Sequence, residues 1–167
     1  RGRELDERRT GAEVGAEVEW TTPTGTAYQR GRSLTVSHDV VVRWADGRRS
    51  TEHIVLHGGR RKPPEGAFVM SDGELDIVVW RVPADPWLPG LAAAIDPERI
   101  GPLLAGLGFP AEDLQTRIRA YRPGRRAVVE VWGPGTRAFV KVVRPSRAEA
   151  LHERHAALDT VAEVPAS

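Results

Sequence analysis

No cysteine occurs among the 167 residues, which excludes disulfides and thiolate metal sites. Long apolar runs are missing too, and the N-terminus, RGRELDERRT, is charged where an export signal would be apolar. The cytoplasm is the expected address, with no membrane partner. Net charge is almost absent: 24 Lys and Arg against 23 Asp and Glu leave +1 with neutral histidines. So slight a balance gives no argument for nucleic acid as a partner. Lysine is scarce as well, since Lys62 and Lys141 are the only two in a chain that otherwise uses arginine.

What is present is ordinary for a globular chain, with 40% hydrophobic and 28% charged residues and enough length for one good core or two small ones. Residues 1–12 read as a charged tail. Over 13–82 the pattern is β: "EVGAEVEW" alternates, "SLTVSHDVVVRWA" is β-branched, and the turn "DGRR" at 46–49 leads into "STEHIVLH". "GAFVMS", Asp72-Gly73 and "ELDIVVWRV" repeat the strand–turn–strand arrangement. A meander of about five or six antiparallel strands is expected.

Over 83–112 the texture becomes that of a linker with a short helix. "PADPWLPG" is punctuated by proline, and in "DPERIGPLLAGLG" Asp96 is placed to cap, Pro97 to begin and Glu98 to line the first turn, with Gly108 beyond the end. Pro102 is expected to kink or shorten that helix. From 113 to 167 a second β unit follows: "LQTRIRAYRPG", "RRAVVEVW", the tight turn "GPGT" at 133–136, and "RAFVKVV". Pro145 ends that strand, Ser146 offers a cap, and "RAEALHERHAAL" reads as a helix. The fold class expected is α+β.

Lys141 interrupts the apolar strand "AFVKVV". Alternation sets Phe139, Lys141 and Val143 on one face and Ala138, Val140 and Val142 on the other. An ammonium on an inner face costs several kcal/mol, roughly, unless an anion meets it. Glu149 and Glu153, four apart on the following helix, are the candidates, with Glu153 preferred and Glu149 kept open. A lysine so held reaches a phosphate as a compact charge, where arginine's wide fork fits poorly. The plain alternative is an edge-strand lysine extending to water.

Strand, loop, strand, hairpin, lysine strand, then a helix with glutamates is the order of a protein-kinase-like N-lobe. "YRPGRRAVVEVWGPGTRAFVKVVRPSRAEALHERHAAL" resembles the N-lobe of the aminoglycoside phosphotransferase family over about 114–158. The β meander before it is similar, over about 13–110, to the N-terminal cap of maltokinase-like members. The resemblance implies ATP with Mg²⁺ as cofactor. Lys141 would pair with the α- and β-phosphates and Glu153 would hold it. The turn Pro123, Gly124, Arg125, Arg126 would lie over the phosphates and offer backbone N–H groups. Phe139 would line the adenine side. The catalytic H-G-D loop and the metal-binding aspartate do not occur in these residues, so the resemblance puts base, Mg²⁺ ligands and acceptor site in a C-lobe. The partners implied are a nucleotide and a small-molecule acceptor: a sugar, amino sugar or aminoglycoside hydroxyl.

Other residues invite plainer readings. His53 and His57 are about 13 Å apart on a strand, too far for one metal, and His152 with His155 lack a third ligand. Trp20, Trp44, Trp80, Trp87 and Trp132 are expected to pack in a core or between domains. Phe139 as core and Arg125 and Arg126 as a solvated loop are the bland counterparts of the nucleotide reading. The rival function is a non-catalytic module, complete at this length, whose arginines at 117–126 meet an anionic partner.

Overall fold

In the computed structural model of the chain, residues 16–71 and 73–148 are described. Glu149 and Glu153, expected on the last helix, the pair His152 and His155, and the 1–12 tail lie outside them. Two antiparallel sheets with few helices make up an α+β chain, and the division between two compact units falls between Pro86 and Trp87.

The first unit is a five-stranded sheet: β1 (Glu17–Gln29), β2 (Ser33–Arg43), β3 (Arg49–Gly59), β4 (Phe68–Ser71) and β5 (Asp76–Arg81). Its order is β1-β2-β3-β5-β4, so β5 inserts between β3 and β4 and the expected simple meander is corrected at that step. A register that pairs Val55 with Trp80 buries both, which the short β4 at the rim cannot do for β3. Val40, Val42 and Trp44 with Ile54 form a buried cluster on one face, while Val55, Val78 and Trp80 are buried on the other. The β2–β3 turn is the "DGRR" reversal, with Gly47 at φ 82° supplying the left-handed residue.

β1 is an exposed edge strand. Pro23 sits inside it, and its register with β2 shifts between Val18 and Trp20 and again between Pro23 and Gly25. Proline and bulges are tolerated on an edge and discourage further pairing there. Trp20 lies on this strand and is exposed, so of the two expected roles, core or inter-domain packing, it does not have the first.

The second unit contains α1 (Leu91–Ala94), α2 (Pro97–Gly106) and a three-stranded sheet, β6 (Gln115–Arg122), β7 (Arg126–Gly133) and β8 (Thr136–Val143), in chain order. The side chain of Asp96 accepts from the Glu98 N–H at 3.0 Å, capping α2 with Pro97 at its first position. Pro102 stays inside α2. In so short a helix it removes a single ladder bond.

α1 packs on the sheet, and α2 packs on the segment that leads into β6. A Cβ on Gly90 would meet Val142 Cγ1 at 3.7 Å, and one on Gly101 would meet Leu114 Cδ1 at 3.6 Å. The Thr116 hydroxyl donates to the Ile95 carbonyl and that of Thr136 to Pro110, each at 2.5 Å. Leu88, Leu91, Val129 and Val131 are fully buried, each contributing about 1.5–3 kcal/mol of transfer free energy. After β8, residues 145–148 begin a helix at Pro145, the position where the sequence ends the strand.

Candidate functional site

The register of β6–β8 sorts the side chains into a covered and an open face. Ala127, Val129 and Val131 oppose Val142, Val140 and Ala138, and this set faces the core. Val128, Glu130 and Trp132 oppose Lys141, Phe139 and Arg137 on the other face. β6 adds Arg117 opposite Glu130 and Ala120 opposite Val128, with Arg119 the extra residue of a bulge between Ile118 and Ala120.

Lys141 is therefore exposed and on the open face, not the inner one. The reason is parity: Thr136, Ala138, Val140 and Val142 take the covered side of β8, so the odd positions must face away. Its ammonium has no hydrogen-bond or ion-pair partner among the described residues, and it needs none for burial. Phe139, 58% exposed, shares that face and is not core.

The turn joining β6 to β7 is tight. Gly124 has φ 60°, and the Arg125 N–H donates to the Arg122 carbonyl at 2.9 Å. Arg144, just past β8, donates through Nε to the Gly124 carbonyl at 2.6 Å and pins the turn from the far side. Pro123 has no N–H and that of Arg125 is used within the turn, so neither of these two residues offers a free backbone donor. What this turn offers an anion is the exposed side chains of Arg125 and Arg126. No ion pair ties either to another described residue.

The feature that sequence reasoning missed is Glu130, next to Lys141 along the same face. Its side chain is only 5% exposed and is met by three arginines. Arg137 reaches Oε1 with Nη2 at 2.9 Å and donates from Nε at 3.0 Å. Arg117 Nη2 and Arg119 Nε each lie 3.2 Å from Oε2. Two of the three also stack: Arg117 lies over the Trp132 ring at 5.6 Å and Arg137 over Phe139 at 5.7 Å. The Arg117 hydrogen bond foremost holds the Glu130 carboxyl below its ordinary value. Desolvation opposes this, and the Arg137 hydrogen bond and the charges of Arg119 and Arg137 add to the lowering. The signal was available in "AVVEVW", where a glutamate interrupts a β-branched run just as Lys141 interrupts "AFVKVV".

The first unit has a smaller polar set. Thr35 Oγ1 and His57 Nδ1 are 2.7 Å apart, as are His53 Nδ1 and Asp39 Oδ1. Each pair spans β2 and β3 at directly opposed positions. Among the described residues no three His, Asp or Glu side chains gather as a metal site, and no helix is long and apolar enough to cross a membrane.

No family model matches this chain, and neither the curated proteins nor the solved structures contain a match.

Proposed function

We propose that the second unit is the nucleotide-binding N-lobe portion of an ATP-dependent small-molecule phosphotransferase, with the first unit as its cap. The observation that carries this reading is Lys141: an exposed ammonium on the open face of the last strand, opposite Val128 and two residues from an exposed Phe139. The lysine would neutralise α- and β-phosphate charge, Arg125 and Arg126 on the Gly124 turn would add to it, and Phe139 with Val128 would receive the base. Glu153, or Glu149, would steady the lysine from the helix that begins after β8. The γ-phosphoryl group would pass in line to a hydroxyl of a sugar, amino sugar or aminoglycoside. Mg²⁺, held by a C-lobe, would offset phosphate charge in that step.

The test is nucleotide binding by the full chain. Wild type is expected to bind ATP more tightly than AMP, and Lys141→Ala to lose about tenfold or more in ATP affinity, as loss of a charged hydrogen bond implies. Equal ATP binding by the two proteins would remove Lys141 from the site and end this reading.

A second reading, a non-catalytic module that binds an anionic partner, is favoured by one observation. Strands β6–β8 and their turns carry Arg117, Arg119, Arg122, Arg125, Arg126, Arg137 and Lys141 against Glu130 alone. It predicts binding that weakens steeply with salt and shows no preference for a nucleoside triphosphate.

A further inference from the structure

The arginines of the second sheet fall into two kinds. Arg122, Arg125 and Arg126 are exposed with no ion pair among the described residues. Arg117, Arg119 and Arg137 are held by a nearly buried carboxylate, and the first and last also lie over aromatic rings. A guanidinium gripped at one edge by Glu130 and on one face by Trp132 or Phe139 has lost much of its rotamer freedom before any ligand arrives. Yet the three side chains remain 58%, 45% and 66% exposed, so a ligand can reach them from water. One carboxylate also neutralises only one of three charges. A cluster built only to stabilise the fold would be satisfied with one or two arginines on Glu130.

We propose that Arg117, Arg119 and Arg137, tethered by Glu130, form a phosphate-binding subsite on the open face of the sheet, separate from Lys141. The fixed, planar forks suit the tetrahedral oxygens of a phosphate, which accept paired N–H donors. Two excess positive charges match a phosphate dianion. Glu130 acts here as a positioning residue, since its oxygens are occupied by the guanidinium donors. The subsite does not depend on Lys141: its phosphate donors are other side chains, one step along the strands, and only Phe139, over which Arg137 lies, is shared with the nucleotide reading.

The experiment is titration of the full chain with tripolyphosphate at low ionic strength, followed by calorimetry. Saturable binding is expected, lowered about tenfold or more by the double variant R117Q/R119Q, as loss of charge-assisted bonds to phosphate implies. That variant leaves Arg137 on Glu130, so the fold is kept, and a melting curve verifies it. R137K keeps the charge without the fork and is expected to bind with intermediate affinity. Lys141→Ala is expected to weaken tripolyphosphate less than R117Q/R119Q does, so failure of the nucleotide reading and failure of the subsite are distinguishable. A short oligothymidylate names the source of the phosphate. Tighter binding than tripolyphosphate assigns it to a nucleic-acid backbone, and weaker binding assigns it to a small phosphorylated compound. Wild-type affinity in both arginine variants overturns the proposal, as does equal binding of a hexa-aspartate peptide, which would reduce the cluster to general positive charge.

Discussion

Arg137 holds Oε1 of Glu130 with two nitrogens of the same guanidinium, Nη2 at 2.9 Å and Nε at 3.0 Å, while Arg117 and Arg119 share Oε2. The carboxylate is thus saturated with charged donors at a site water hardly reaches. Its ionisation becomes part of the stability of the second unit.

The pH dependence follows with a definite sign. Glu130 in the folded chain has a carboxyl pKa below its ordinary 4.5. A depressed pKa stabilises the fold above the unfolded value and loses that contribution as pH falls through the folded one. Melting temperature is expected to drop as pH falls below 4.5. Glu130→Gln should melt lower than wild type near neutral pH and show a shallower acid dependence. Parallel melting curves for the two proteins across that acid range would show that the carboxylate carries no such linkage.

Glycine at 133 answers to space. A Cβ there would stand 2.8 Å from the Glu112 carbonyl oxygen, 3.1 Å from Leu114 Cδ2 and 3.3 Å from the Asp113 carbonyl oxygen. Two of these are backbone atoms that cannot swing aside, so Gly133→Ala is expected to cost about 1–3 kcal/mol. Gly106, the last residue of α2, has nothing within 4 Å of its Cβ position. Gly106→Ala should instead stabilise, by up to about 0.5 kcal/mol at a helix end. Chemical denaturation of the pair reads the opposite signs directly.

Leucines in the helical segment separate by burial. Leu91 is fully buried, so Leu91→Ala is expected to cost about 2–5 kcal/mol. Leu107, 73% exposed, should change by no more than about 0.5 kcal/mol on the same substitution. Comparable losses at both positions would mean that Leu107 is covered in solution.

The Asp96 cap gives a local test. Asp96→Ala removes the acceptor for the Glu98 N–H and is expected to cost about 1 kcal/mol, whereas Asp96→Asn keeps an acceptor oxygen and should be nearly neutral. Equal losses in the two variants would trace the effect to charge at the helix start and not to the hydrogen bond.

The chain is legible where the rule is local. The turn at 46–49, the cap at Asp96 and the hairpin at 133–136 follow from residues that act on their immediate neighbours, and Gly135, at φ 75° after Pro134, takes the conformation that the "GPGT" turn requires. It is not legible where partners are distant. β5 lies between β3 and β4 because Val55 and Trp80 bury each other, a pairing across 25 positions that no turn signal announces.

The residues alone determined where chain reversals and helix starts lie, and that Lys141 and Phe139 share one side of a strand, since alternation is a property of the extended backbone. They could not determine which side is covered. That was decided by tertiary packing, which buries Ala127, Val129, Val131 and Val142, with Gly90 against Val142, and leaves Lys141 in the open. The Arg119 bulge then shifts the parity of β6, turning Tyr121 opposite Ala127 on the covered side and Arg122 to the open one. The gathering of three arginines on Glu130 likewise depends on register between strands, because charges up to 20 positions apart meet only once the sheet is aligned.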